Sequence, residues 1–134
     1  MSSSTPLITG TDFVAVGVSD INRSVAFYRD VLGLRQSKRW GQMPAVEFET
    51  GSLTIALMQS DAFGLELRGN NHPIAFHVDD YEAAHATLEQ AGVEFKVSTI
   101  DSGVCLQAFF DDPDGNTLGI HHRYAQGAPP AAAG

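Results

Sequence analysis

Two of the five histidines lie where an imidazole could act on a bound molecule. His77 and His121 occur in strand-like apolar runs, and either could hydrogen-bond a ligand or move a proton near neutral pH. The alternative is a pair of hydrogen-bonded histidines with no role. His72 is interpreted as a loop residue, His85 as a solvated residue on a helix flank, and His122 as pointing away from His121.

The carboxylates of Glu47 and Glu49 form the second candidate group. They alternate with Val46 and Phe48 in a short run, so both carboxylates are expected on one face of a strand. Trp40, the only tryptophan, could stack on a planar ligand from the rim of that face. Ordinary packing is the alternative for Trp40.

Composition and charge narrow the function classes. The chain has 134 residues, of which 43% are hydrophobic and 18% charged, typical of a globular protein. A net charge of −8 disfavours nucleic acid as a partner and favours a cationic ligand, unless it only aids solubility. No apolar run is long enough to span a bilayer, and no signal peptide is evident. Cys105, the only cysteine, is interpreted as a buried thiol, and a single cysteine favours the cytoplasm.

The chain contains one supersecondary unit written twice. A Val-rich run from Phe13 ends in Asp20, which can cap a helix ending at Gly33. A second run from Pro73 leads to a helix ending at Gly92, and Asp79 with Glu82 could form its capping box. After each helix come three strand-like runs, which gives βαβββ twice. The expected strands are 13–19, 35–40, 45–49, 52–59, 93–99, 104–110 and 117–123, with one more in the apolar run 73–80.

These units predict a single α+β domain over residues 7–124. The first βαβββ module spans 7–60 and the second spans 72–124. Residues 1–6 and 125–134 are small, polar or rich in Ala, Pro and Gly, so they are expected to be flexible tails.

Three stretches of the chain resemble the glyoxalase/bleomycin resistance protein/dioxygenase (vicinal oxygen chelate) superfamily. They are Val18-Ser-Asp-Ile-Asn-Arg-Ser-Val-Ala-Phe-Tyr-Arg-Asp-Val-Leu-Gly-Leu34, Ile74-Ala-Phe-His-Val-Asp-Asp80 with Ala91-Gly-Val93, and Phe110-Asp-Asp-Pro-Asp-Gly-Asn116. The resemblance implies two βαβββ modules that form a cupped mixed sheet. The Asp-Pro-Asp-Gly-Asn stretch is interpreted as a turn rather than as a catalytic carboxylate pair.

The resemblance also implies where the family's metal ligands would lie. Its members that use a metal take one His, Glu or Gln from each of four strands, and the corresponding positions here are Phe13, Ala56, Pro73 and Gly119. None of these side chains can ligate a metal ion. We therefore expect no metal and no other cofactor, and we assign no catalytic residue.

Strand alternation predicts which residues line the cup. Residues two apart along a strand share a face, so the cup side should carry Phe13, Ala15, Gly17, Glu47, Glu49, Thr54, Ala56, Met58, Pro73, Ala75, His77, Gly119 and His121. The opposite sides should form the core, with Val14, Val16, Val18, Leu53, Ile55, Leu57, Ile74, Phe76 and Val78. The candidate ligand-binding residues are Phe13, Trp40, Glu47, Glu49, Met58, His77 and His121.

These observations predict a metal-independent protein that binds and sequesters a small molecule. The metal-free branch that the chain resembles contains homodimeric drug-binding proteins that confer antibiotic resistance, so the expected partners are a cationic or planar aromatic ligand and a second copy. Two alternatives stay open. One is a lyase or dioxygenase with displaced metal ligands such as His77, His121 and Glu47, and the other is a metal-independent isomerase or lyase with a histidine as general base.

Overall fold

The computed structural model describes residues 6–125, in which two βαβββ modules follow one another. Residues 1–5 and 126–134, which hold most of the two predicted tails, lie outside the described residues. The first module contains β1 (Val14–Val18), α1 (Ile21–Ala26), a π-helical turn (Phe27–Val31), β2 (Arg35–Arg39), β3 (Ala45–Glu49) and β4 (Thr54–Gln59). A 3-10 turn (Ser60–Phe63) leads to the second, with β5 (Ile74–His77), α2 (Tyr81–Gln90), β6 (Phe95–Asp101), β7 (Cys105–Asp111) and β8 (Thr117–Arg123).

Each module forms its own four-stranded mixed sheet. The strand orders are β1-β4-β3-β2 and β5-β8-β7-β6, so the two sheets have the same topology. In each, the first strand pairs in parallel with the last, and the remaining pairs are antiparallel. The α+β fold with a repeated βαβββ unit is therefore confirmed.

Local sequence explains where the helices begin. The Asp20 side chain accepts the backbone N–H groups of Asn22 and Arg23, as predicted, and so caps α1. At α2 the predicted cap is wrong by one residue. Asp80 accepts the backbone N–H of Ala83, whereas Asp79 is exposed and its carboxylate contacts His77. None of the described helices is both long and apolar enough to cross a membrane.

A single apolar core joins the two modules. It contains Val16, Val18, Phe48, Ile55 and Leu57 from the first sheet and Ala108, Phe110, Leu118 and Ile120 from the second. The predicted core sides of the strands are thus largely confirmed. Leu53 is an exception, because it lies in the turn before β4 and is 42% exposed.

The turn at 112–116 ties the second module to the first. The Tyr28 hydroxyl donates to Asp112 Oδ2 at 2.7 Å, and Asn116 Nδ2 donates to the Gly17 carbonyl at 2.9 Å. Asp114 forms an ion pair with Arg23 at 3.0 Å. Burial and the Asp112 charge raise the pKa of Tyr28. The interpretation of this stretch as a structural turn is consistent with these contacts.

Candidate functional site

The sheet faces that point away from the core differ in chemistry between the modules. We name them the first and second cup faces. The first cup face consists of Ala15, Gly17, Ala45, Glu47, Glu49, Thr54, Ala56 and Met58. The second consists of Ala75, His77, Gln107, Phe109, Gly119 and His121.

Trp40 and Glu47 form the central polar contact of the first cup face. The register of β3 and β4 sets Glu47 opposite Ala56, on the side away from the core. Trp40 follows β2, and its indole Nε1 donates to Glu47 Oε2 at 2.6 Å. One carboxylate oxygen is therefore held by the indole, and the group retains further acceptor capacity.

Aromatic rings surround this contact. The Phe13 ring lies edge-on to Trp40 with centroids 5.4 Å apart, and the Phe63 ring does so at 6.2 Å. Such edge-to-face pairs are favourable because a ring edge is positive and a ring face negative. Phe63 comes from the 3-10 turn after β4, and no sequence pattern predicted that this turn returns to Trp40.

Glu49 is held in place at the end of β3. Its carboxylate accepts the Ser37 hydroxyl at 2.6 Å and the Thr54 hydroxyl at 2.7 Å. The hydrogen bond from Ser37 is the main cause that lowers the pKa of Glu49, followed by the bond from Thr54. The carboxylate is thus ionised over a wider range of pH than an isolated glutamate.

Positive charge flanks the first cup face on β2. Arg35, Lys38 and Arg39 are exposed, and β2 pairs Arg35 with Glu49 and Lys38 with Glu47. Met58 is half-buried and pairs with Gly17 and Ala45. The first cup face therefore joins carboxylates, aromatic rings and a basic edge strand.

The two candidate histidines lie on neighbouring strands, but the ring that His77 lies near is that of His122, with centroids 6.1 Å apart. His77 and His121 are register partners on β5 and β8. His77 is two-thirds exposed, and its Nε2 lies 2.9 Å from Asp79 Oδ1. His121 is half-buried and pairs with Gln107 on β7.

Two residues elsewhere in the second module differ from their predicted environments. The His85 ring was expected to be solvated, but it stacks on Phe95 at 4.1 Å and its Nε2 bonds the Ser98 carbonyl at 3.0 Å. Cys105 was expected to be buried, but it is half-buried near the start of β7, where it pairs with Arg123. Both errors arise because strand ends and helix flanks depend on tertiary packing.

The residues at the family's metal positions do not fit a metal ion. Phe13 and Pro73 are exposed, Ala56 is fully buried and Gly119 has no side chain. The described residues contain no group of three or more His, Cys, Asp or Glu side chains placed to hold a metal. The displaced set of His77, His121 and Glu47 is therefore not assembled among the described residues.

Two grooves occur away from the Trp40 contact. One, of about 500 Å³, lies between the π-helical turn and the residues that follow α2, and Phe27 and Val93 line it. The other, of about 180 Å³, lies between Leu53 and β5, and His77 is among the residues that line it. Neither groove is lined by Trp40 or Glu47.

Comparison with known proteins agrees with this architecture. The model of the Glyoxalase/Bleomycin resistance protein/Dioxygenase superfamily matches residues 10–120. The chain belongs to this superfamily. A glyoxalase family protein from Bacillus anthracis has the same fold, with a TM-score of 0.75 at 18% identity over 90% of this chain and 100% of that one.

Two curated proteins are similar to most of the chain. Glutathione transferase FosA of Serratia marcescens is 29% identical over 119 residues, which cover 86% of this chain and 82% of that protein. The uncharacterized protein YwbC of Bacillus subtilis is 29% identical over 122 residues, which cover 84% of this chain and 96% of that protein. The superfamily defines the fold, and the function follows from the residues of the site.

Proposed function

We propose that the protein is a metal-independent binder that sequesters a cationic, planar aromatic molecule on the first cup face, as a drug-resistance or metabolite-sequestering protein does. The observation that carries the proposal is the contact between Trp40 and Glu47, with Phe13 and Phe63 edge-on to the indole. A cation could lie near the Glu47 carboxylate while its ring contacts the aromatic side chains. A cation on an indole face contributes about 0.5–2 kcal/mol.

We further propose that the protein works in the cytoplasm as a homodimer whose second copy covers the exposed apolar side chains of the two sheets. Phe13 is 41% exposed on the first module, and Val97 and Ile100 on β6 are 40% and 38% exposed. Exposed apolar groups on open sheets are commonly covered by a partner, and a two-fold pair is the commonest arrangement. Sedimentation at micromolar concentration should give a dimer, and a monomer there would contradict this part of the proposal.

The decisive experiment for the binding function compares ligands that share one ring system and carry different charges. N-methylquinolinium, quinoline and quinoline-carboxylate are titrated by calorimetry into the wild type and the Glu47→Gln variant. The cation should bind wild type most tightly, and the substitution should weaken it several-fold because it removes the nearby charge. The Glu82→Gln variant, which loses the same charge on an exposed position of α2, is the control and should bind like wild type.

Two outcomes would contradict the binding proposal. Tightest binding by the quinoline-carboxylate would mean that Arg35, Lys38 or the histidines set the charge preference. Equal weakening in both variants would mean that the overall field of the protein, rather than the Glu47 contact, attracts the cation.

A second candidate function is a metal-independent isomerase or lyase. The contact of His77 Nε2 with Asp79 at 2.9 Å favours it, since a carboxylate can orient an imidazole for proton transfer. Exchange of substrate protons with solvent deuterium that is lost in the His77→Gln variant would favour the enzyme over the binder.

A further inference from the structure

The two cup faces can be aligned position by position, because the modules share strand order and register. On the first sheet Ala15 pairs with Ala56, which pairs with Glu47. On the second sheet Ala75 pairs with Gly119, which pairs with Phe109. Phe109 therefore occupies on β7 the position that Glu47 occupies on β3.

The Phe109 ring lies over Gly119. A Cβ atom added at residue 119 would be 2.8 Å from Phe109 Cδ1 and 3.0 Å from the Ala108 carbonyl oxygen. Side chains do not approach that closely, so the ring takes the space that any side chain at 119 would need. Position 119 corresponds to the family's fourth metal ligand, and an aromatic ring fills the space of that ligand here.

The surroundings of Phe109 are those of a contact surface. The residue is half-buried, so part of it stays accessible on the second cup face. Val97, which is 40% exposed, pairs with it on β6. The neighbouring register pair of Gln107 and His121 supplies polar groups beside the ring.

We propose that Phe109 is a ligand-binding residue, on which the aromatic ring of the ligand packs in place of coordination to an ion. This inference rests on the proposed binding function and adds a second contact residue to it. Gly119 acts as the positioning residue, since the absence of a side chain there leaves the space that the Phe109 ring occupies. Gln107 and His121 would meet the polar edge of the same ligand.

The test compares an aromatic with a saturated probe of equal charge. Benzyltrimethylammonium and (cyclohexylmethyl)trimethylammonium are titrated into wild type, Phe109→Leu and Phe27→Leu. The Phe109→Leu variant should bind the benzyl probe about three- to tenfold more weakly, because a ring–ring contact is lost. It should bind the saturated probe as wild type does. Phe27→Leu is the matched control in the groove beside the π-helical turn, and both affinities should be unchanged.

The outcomes separate this inference from the proposed function. An unchanged affinity of Phe109→Leu for the benzyl probe, with weakened binding by Glu47→Gln, would overturn the role of Phe109 alone. Absence of binding by either probe to wild type would overturn both. Should Phe109→Leu fail to fold, ring-labelled phenylalanine in wild type gives the answer, since the Phe109 signals must shift on titration with the benzyl probe.

Discussion

In the first sheet Glu47 lies opposite Ala56 and accepts the indole N–H of Trp40, whereas in the second sheet Phe109 lies at the same register position opposite Gly119. The difference also extends one step along the strands, where Met58 on β4 corresponds to His121 on β8. One βαβββ unit can therefore present an acidic, aromatic surface in one copy and a histidine-lined surface in the other. The backbone is shared, and the alternate side chains decide the chemistry.

The largest expected effect comes from making the two sheets alike at their central position. Gly119→Ala adds the methyl that Ala56 already carries, but on the second sheet that methyl meets Phe109 and the Ala108 carbonyl. We expect a loss of about 1–3 kcal/mol in the free energy of unfolding. The reciprocal Ala56→Gly should cost about 1 kcal/mol at most, from backbone entropy. Urea unfolding measures both, and equal losses would contradict the difference between the faces.

The two sheets keep their positions because one core joins the modules. The Tyr28 hydroxyl, which bonds Asp112 of the second module, is part of this junction. Tyr28→Phe removes its hydrogen bond to Asp112 and should lower the free energy of unfolding by about 1–2 kcal/mol. Tyr81→Phe, which removes a hydroxyl bonded within the second module, is the matched control. A loss confined to Tyr81→Phe would contradict the importance of the junction.

The Tyr28→Phe substitution should also change how the free energy of unfolding depends on alkaline pH. The pKa of Tyr28 is raised in the folded chain by burial and by Asp112. Its contribution to stability is therefore complete below the pKa of an unfolded tyrosine, about 10, and falls as pH rises above it. The free energy of unfolding of Tyr28→Phe should decline less steeply than that of wild type above about pH 10. Parallel declines would contradict this assignment.

Removing metals is expected to have the smallest effect on ligand affinity, because neither cup face has metal donors at the family's ligand positions. Elemental analysis of purified protein should find no stoichiometric divalent metal. Dialysis against a chelator should leave the affinity for N-methylquinolinium unchanged. About one Zn, Fe, Mn or Ni per chain, with binding lost on chelation, would contradict the metal-independent account of both faces.

Local sequence patterns predicted the elements, because their causes are local. The Val-rich run of β1, the Asp20 cap and the alternation of Val46, Glu47 and Phe48 each follow from residues a few positions apart. The repeat then predicted the order of the elements in the second module. The π-helical turn was missed because Leu32 bonds back to the Phe27 carbonyl in a region whose side-chain spacing also fits an α-helix.

The candidate site was only partly predictable, because its members depend on contacts distant in sequence. Glu47 and Trp40 were found from strand alternation and residue type. Phe63 and Phe109 were missed, since a turn brings one back to Trp40 and a glycine on the adjacent strand makes room for the other. A glycine inside one predicted strand, with a large aromatic residue in the strand before it, is the sequence feature that could have indicated Phe109.

The indole N–H of Trp40 offers the most direct test of the central claim. The chain has one tryptophan, so a 15N-labelled sample gives one indole signal, which reports on the bond to Glu47. Titration with N-methylquinolinium should shift this signal to saturation, and quinoline-carboxylate should shift it far less. An indole signal that stays fixed while calorimetry shows N-methylquinolinium binding would contradict the account, because the ligand would then lie away from the Trp40–Glu47 contact.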